Sequence, residues 1–108
     1  MWLMLQSGMY SIVAIPDKPE LLKVRARRPG DIETLFPHAT IHRTPGRDYL
    51  FRAEIPRREV AEVLAQQVLS ITASNFKASV TDPALHRAYA DVWTRMARLQ
   101  SPAPYSED

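Results

Sequence analysis

Apolar and polar residues alternate in the first half of the chain, which is the pattern of β-strands. Residues 22–27 run Leu-Lys-Val-Arg-Ala-Arg, and this period of two is typical of a strand with one buried and one solvated face. Residues 10–15 are apolar and rich in β-branched side chains, and they end at a Pro-Asp-Lys-Pro turn. We therefore expect these two segments to pair as a hairpin.

Three further segments complete the predicted sheet. The apolar run 2–5 predicts a short first strand, and residues 39–44 and 49–55 predict two more strands, joined by a Pro-Gly-Arg-Asp turn. One side of the last strand is expected to be buried. That side consists of Tyr49, Phe51, Ala53 and Ile55.

The remaining elements are predicted to be helices. Asp31 is expected to cap a short helix that ends before Pro37. Apolar residues at helical spacing predict longer helices over 57–72 and from Pro83, capped by Asp82, to about residue 99. The residues expected to face the core are Val60, Val63, Leu64, Val68 and Ile71 in the first long helix and Leu85, Tyr89, Val92, Trp93, Met96 and Leu99 in the second.

This order of elements defines the fold class. Apart from the N-terminal run it is β-β-α-β-β-α-α, and an antiparallel sheet of four to five strands with helices packed on one face would bury every apolar stripe. We predict one α+β domain over residues 1–100 and a flexible tail over 101–108. A ferredoxin-like arrangement stays open, because each half runs strand, strand, helix rather than strand, helix, strand.

Composition excludes several kinds of chemistry. The 108 residues contain no cysteine, which excludes disulfides, thiolate nucleophiles and iron–sulfur clusters. The three glycines are too few for a phosphate-binding loop or a dinucleotide fingerprint. No apolar stretch has the length of a membrane-spanning helix, so a soluble cytoplasmic protein without a membrane partner is expected.

Neither a metal ion nor a cofactor is predicted. His38 and His42 straddle the start of the expected strand 39–44, and in extended chain residues four apart are about 13 Å from each other and cannot share a metal ion. Carboxylates such as Asp48, Glu54 and Asp91 are expected to be solvated or ion-paired, and no catalytic residue stands out.

The basic residues carry the sharper signal. The net charge is +2, yet residues 21–58 hold nine basic and four acidic side chains. Arg25 and Arg27 lie on the polar side of the second long strand, and Arg52 lies on the polar side of the last one. Because the helices cover the apolar side, the three guanidinium groups are expected to line the other, where they would suit carboxylate or phosphate groups.

The segment between the two long helices, 72–80, is a second candidate region. It contains Asn75, Phe76 and Lys77, in which two polar side chains flank an aromatic ring. Phe76 is expected to fill the core between the helices, and Asn75 to satisfy backbone groups of the loop. The predicted binding residues are Arg25, Arg27, Arg52, Asn75 and Lys77.

Six short motifs are spread from the first hairpin to the last helix. They are Tyr10-Ser11-Ile12-Val13, Val24-Arg25-Ala26-Arg27, Gly46-Arg47-Asp48-Tyr49, Arg52-Ala53, Ser74-Asn75-Phe76-Lys77 and Tyr89-Ala90-Asp91-Val92-Trp93. In this order they resemble a group of short bacterial proteins of similar length. The resemblance implies a bacterial origin and a single-domain layout. No activity is established for that group, so it implies no mechanism and no catalytic residue.

Three functions compete on this basis. The first is a non-catalytic binding or adaptor domain that uses the arginine side of the sheet for an acidic protein or a small anion. The second is a small enzyme with a cleft near residues 75–77, and the third is a weak nucleic-acid binder that contacts phosphates, which is not favoured because no aromatic stacking platform is expected on that side. A separate prediction is self-association into a dimer. It is based on the apolar run Trp2 to Leu5 and on the open edges of the sheet.

Overall fold

The computed structural model describes residues 1–105 and divides the chain into two compact units, Met1–Thr72 and a second that begins at Ala73. Each unit is described by itself. The elements of the first unit are β1 (Trp2–Met4), β2 (Met9–Ala14), β3 (Leu21–Ala26), α1 (Asp31–Leu35), β4 (His42–Arg43), β5 (Phe51–Pro56) and α2 (Arg57–Leu69). Those of the second unit are α3 (Phe76–Ser79) and α4 (Pro83–Ala97).

The first unit is built on a five-stranded sheet in the order β1-β2-β3-β5-β4, and all of its strand pairs are antiparallel. The predicted hairpin of the two long strands is confirmed, with Ile12 opposite Val24. The α+β class and the approximate order of elements are also confirmed. The combination of an antiparallel sheet with helices is consistent with a ferredoxin-like arrangement. In this sheet the strand order places β3 beside β5.

One face of this sheet forms the hydrophobic core. Ile12, Val24 and Ala53 lie side by side on neighbouring strands, because residues in register on antiparallel strands project to the same face. Helices α1 and α2 both cover that face, and each contacts β3 and β5. The buried cluster consists of Tyr10, Ile12, Val24, Ala26, Ile32, Phe36, Ala53, Ile55 and Val60.

A compact polar cluster fixes the turn after β1 against the start of α1. The Tyr10 hydroxyl donates to the Asp31 backbone oxygen at 2.8 Å and lies 3.1 Å from the Ser7 hydroxyl. The Asp31 carboxylate pairs with the Arg28 guanidinium at 3.3 Å. Gly8 comes so close to this carboxylate that a Cβ there would lie 2.6 Å from Asp31 Oδ2. Glycine is therefore required at this position by close approach.

The second unit consists of two helices, both capped by side chains. Asn75 accepts a hydrogen bond from the Ala78 amide, and Asp82 accepts from the amides of Ala84 and Leu85. The cap that was expected from Asp82 is thereby confirmed, whereas Asn75, expected to satisfy backbone groups of a loop, caps a helix that was not predicted. Within this unit, Leu85 and Tyr89 are buried.

Three predictions about the caps and ends of elements in the first unit are wrong. Asp31 does not cap α1, because Gly30 occupies the N-cap position and the Asp31 carboxylate turns to Arg28. Residues 39–41 are not part of a strand, because the Ala39 amide bonds to the Phe36 oxygen and Ile41 packs on the core. Helix α2 ends at Leu69, and the core reaches only its first turns, so Val68 and Ile71 are exposed rather than buried.

Predictions about the second unit also need correction. Residues 76–79 form a short helix where a linker was expected. Phe76 is 39% exposed and stacks on Tyr89 instead of filling the core. Trp93 is 38% exposed, and its ring contacts Lys77 and Tyr105. The other members of the predicted stripe that are exposed are Val92, Met96 and Leu99.

Two predictions concern the organisation of the chain. The single domain over residues 1–100 stays a prediction. Of the predicted tail, residues 106–108 lie outside the described part of the chain, while the Tyr105 ring stacks on Trp93 with centroids 6.2 Å apart. Within residues 1–105, no helix has the length and apolar character needed to cross a membrane.

Candidate functional site

The face of the sheet opposite the core carries a row of polar residues in register. Ser11 on β2 lies opposite Arg25 on β3, Arg25 lies opposite Arg52 on β5, and Arg52 lies opposite His42 on β4. Arg27 follows directly after β3. We call Arg25, Arg27 and Arg52 the arginine face. The register agrees with the sequence prediction that Arg25 and Arg52 share one side of the sheet, and Arg27 contacts the same tyrosine ring as Arg25.

The Arg25 guanidinium is held from two sides. One of its terminal nitrogens donates to the Ser11 hydroxyl at 2.6 Å, and the group lies 4.6 Å from the centroid of the Tyr49 ring. Ser11 itself is fully buried. The side chain of Arg25 is therefore fixed in position rather than free to sample solvent.

Tyr49 organises two arginines at once. The Arg27 guanidinium lies 4.1 Å from the centroid of the same ring that contacts Arg25, and the tyrosine is only 4% exposed. A guanidinium over an aromatic ring gains about 0.5–2 kcal/mol, more when water is excluded. The ring thus brings two positive charges together on the sheet.

This position of Tyr49 contradicts the prediction that it lies on the core side with Phe51. The strand begins only at Phe51. Before it, the Tyr49 amide bonds to the Asp48 carboxylate, and Thr44 bonds to the oxygens of Tyr49 and Leu50. Because these bonds shape a turn, the alternation of strand side chains does not extend back to residue 49.

Arg52 is anchored at one end only. Its terminal nitrogen donates to the Asp48 carboxylate at 3.0 Å, and its side chain is 13% exposed while that of Asp48 is 67% exposed. A carboxylate with this much solvent contact contributes little, about 0–1 kcal/mol for a typical surface pair. Asp48 therefore neutralises the arginine face only in part.

The two arginines that lie opposite each other share an unusual feature. The Nε atoms of Arg25 and Arg52 are both buried, and neither has a hydrogen-bond partner within residues 1–105. A buried donor without a partner costs about 1–3 kcal/mol, and more when the group is charged. Like charges directly opposite on neighbouring strands add further destabilisation.

The other two predicted binding residues belong to the second unit. The Asn75 side chain accepts from the Ala78 amide at 3.2 Å, and Lys77 Nζ lies 4.4 Å from the centroid of the Trp93 ring. Asn75 is thus used as a helix cap, and Lys77 as a cation on an aromatic surface. The structure does not join these two residues to the arginine face as one described site.

Sequence reasoning missed Ser11, Asp48 and Tyr49 as parts of the site. Ser11 is a lone polar residue in an apolar strand, and its position between Tyr10 and Ile12 puts it on the face opposite the core. Asp48 and Tyr49 follow a turn whose Gly46 has a φ of 82°. This turn in the sequence indicates that the strand can begin after Tyr49, so that strand alternation does not assign a face to Tyr49.

Comparisons with known proteins identify no relative that would assign a function to these residues. No family model, no curated protein and no solved structure matches this chain. The resemblance to a group of short bacterial proteins stays a prediction. Among the described residues, no group of three or more His, Asp or Glu side chains is placed to hold a metal ion.

Proposed function

We propose that this chain is a non-catalytic binding or adaptor domain whose arginine face binds an acidic protein segment or a small anion. The observation that supports the proposal is the pair Arg25 and Arg52, which lie opposite each other with two buried Nε donors that have no partner within residues 1–105. An oxyanion bound on this face would offset the repulsion, because it adds a negative charge beside two positive ones.

The ligand chemistry follows from the guanidinium groups. Arginine binds carboxylates and phosphates through paired hydrogen bonds, and it remains charged at every relevant pH. One terminal nitrogen of Arg25 donates to the Ser11 hydroxyl, and one of Arg52 donates to the Asp48 carboxylate. The ligand therefore either adds to the hydrogen bonds with Ser11 and Asp48 or displaces one of them. A carboxylate from an acidic peptide would replace the exposed Asp48 carboxylate as the acceptor for Arg52.

The cellular location of the protein is also a proposal. The bacterial origin that the resemblance implies, together with a sequence free of cysteine, supports a cytoplasmic protein. We infer that the natural partner is an acidic segment of another cytoplasmic protein or a small anionic metabolite.

The proposal is tested by fluorescence anisotropy with a labelled oligoglutamate peptide, with inorganic phosphate and free glutamate as unlabelled competitors. We expect Arg25→Ala and Arg52→Ala each to weaken binding of the peptide at least tenfold. Arg58→Ala is the matched control, since it removes the same charge from an exposed position on α2 and should leave binding within about twofold, as expected for a distant screened charge.

The competitors separate the sources of the anion. Displacement by phosphate and not by glutamate would favour a phosphorylated ligand, and displacement by neither would favour an extended acidic segment. Equal loss of binding in Arg25→Ala and Arg58→Ala would reduce the effect to overall charge and contradict the proposal. Labelled DNA and RNA at two salt concentrations test the nucleic-acid alternative, because phosphate-driven binding weakens steeply with salt.

A further inference from the structure

The two edges of the sheet differ in how they are protected. Edge strand β4 consists of His42 and Arg43, which are both polar and exposed. Edge strand β1 is apolar, and no charged side chain occurs among residues 1–16. Sheet edges are usually protected against pairing by charges, prolines or bulges. In β1 none of these is present, and Trp2 is 78% exposed.

The backbone of β1 shows which groups face outward. Met1 exchanges both of its backbone hydrogen bonds with Ile12, at 2.8 and 2.9 Å, and the Leu5 amide bonds to the Gly8 oxygen. Bonding directions alternate along an antiparallel strand, so Met1, Leu3 and Leu5 direct their backbone groups toward β2. The amides and carbonyls of Trp2 and Met4 therefore point away from the sheet.

We propose that β1 pairs with β1 of a second copy of this chain, antiparallel, with the twofold axis at Leu3. In this register Trp2 lies opposite Met4 of the second copy and exchanges two hydrogen bonds with it, and symmetry repeats the exchange. All outward groups of both strands are then paired. A second copy is the favoured occupant because this arrangement of donors and acceptors is complementary to itself under a twofold rotation, and because no side-chain charge opposes the contact.

The side chains support the same register. Trp2 lies on the face of Ser11, and Met4 lies on the face of Met9, so Trp2 of one copy would cover Met4 of the other. Thioether and aromatic groups attract each other by about 0.3–1.5 kcal/mol. Since each strand contributes three residues, the contact is small and the dimer is expected to be weak.

The dimer also has a geometric consequence. It would form one ten-stranded sheet in which both arginine faces lie on the same side. Five strand spacings separate β3 of one copy from β3 of the other, which is about 24 Å. Two sites at this separation on one surface suit a partner with two acidic segments.

The first experiment measures the mass of the full chain in solution over a range of concentrations up to about 1 mM. We expect the wild type to approach the mass of a dimer and Trp2→Lys to remain a monomer with an unchanged circular dichroism spectrum. Leu69→Lys is the control, since Leu69 is 76% exposed on α2 and should leave the dimer intact. A wild type that stays monomeric at every concentration, or a Trp2→Lys variant that still dimerises, would overturn the proposal.

A second experiment tests the register and does not depend on a lysine variant. The chain has no cysteine, so Trp2→Cys and Met4→Cys each carry one thiol. In the proposed register the two positions are about 5.5 Å apart across the interface, within the range of a disulfide. Equivalent positions in two copies of the same variant are about 7–8 Å apart and out of range.

Mixing the two cysteine variants under mild oxidation should therefore give mostly the mixed disulfide, which mass spectrometry distinguishes from the two symmetric ones. A statistical mixture of the three products would show that β1 does not pair in this register. If both Trp2→Lys and Leu69→Lys are monomeric, the ratio of mixed to symmetric disulfides decides between a dimer through β1 and one through α2.

Discussion

Arg25 and Arg52 lie directly opposite each other on neighbouring strands, and the Nε of each is buried without a hydrogen-bond partner in the described chain. Both the repulsion between like charges and the missing bonds lower the free energy of unfolding. The partners that do exist, Ser11 and the exposed Asp48, satisfy only the terminal nitrogens. This arrangement is what one expects of residues placed for a ligand at some cost to stability.

The first prediction is that the charge on Arg52 serves binding at the expense of stability. In Arg52→Met the aliphatic stem is retained and the charge opposite Arg25 is removed, so the free energy of unfolding should stay equal or rise by about 1 kcal/mol. Binding of the oligoglutamate peptide should be lost. Urea denaturation and anisotropy measure the two effects. A loss of more than about 1 kcal/mol, the typical cost of a destabilising substitution, would instead assign Arg52 a structural role.

The second prediction concerns Tyr49, whose ring lies within 4.6 Å of two guanidinium groups. Tyr49→Leu removes the ring and should lower the free energy of unfolding by about 2–4 kcal/mol, because a buried side chain and two cation–π contacts are lost. It should also weaken peptide binding, because Arg25 and Arg27 are no longer held in place. Tyr49→Phe retains the ring and serves as the control, with binding expected within about twofold of the wild type. Equal binding by the leucine and phenylalanine variants would contradict the role of the ring.

The third prediction rests on the close approach of Gly8 to Asp31. In Gly8→Ala the new Cβ would lie 2.6 Å from a carboxylate that is 7% exposed and held by Arg28. We expect the free energy of unfolding to fall by about 1–3 kcal/mol, the usual cost of overpacking. A double-mutant cycle with Asp31→Ala checks the cause. If the clash is with this carboxylate, Gly8→Ala should cost much less when Asp31 is already alanine.

The fourth prediction is a loss of stability at high pH through Tyr10. Burial raises the pKa of the Tyr10 phenol above its usual value of 10.0. Below pH 10 the phenol is protonated in the folded and the unfolded chain, so its contribution to stability is constant. Above that pH the unfolded chain releases the proton while the folded chain retains it, and stability falls as pH rises toward the raised value, by up to about 1.4 kcal/mol per pH unit.

Tyr10→Phe separates this effect from other groups that titrate in the same range. The variant should be less stable than the wild type at neutral pH by about 1–3 kcal/mol, because the Asp31 carbonyl loses the hydroxyl that donates to it at 2.8 Å. Between the two pKa values the difference should shrink as pH rises. Urea denaturation of both proteins at several pH values measures it, and a constant difference would show that the phenol titrates normally when folded.

The sequence predicted the strands of the first hairpin, the class of the fold and the side of the sheet on which the arginines lie. These follow from local periodicity, because alternation at period two assigns each residue of a strand to one face. Val24 and Arg25 therefore fell on opposite faces, as the structure has them. The cap by Asp82 was predicted for the same reason, since an N-cap depends on residues two or three positions away, whereas the short helix that Asn75 caps was not predicted.

The partners of the arginines depended on the tertiary structure. Arg25 and Arg52 are far apart in sequence, and only the pairing of β3 with β5 sets them opposite each other. Tyr49 was assigned to the wrong face, because its backbone accepts a hydrogen bond from Thr44 and donates one to the Asp48 carboxylate before the strand begins. Periodicity describes one segment at a time, whereas the arginine face is made by contacts between segments, and those are fixed only when the sheet assembles.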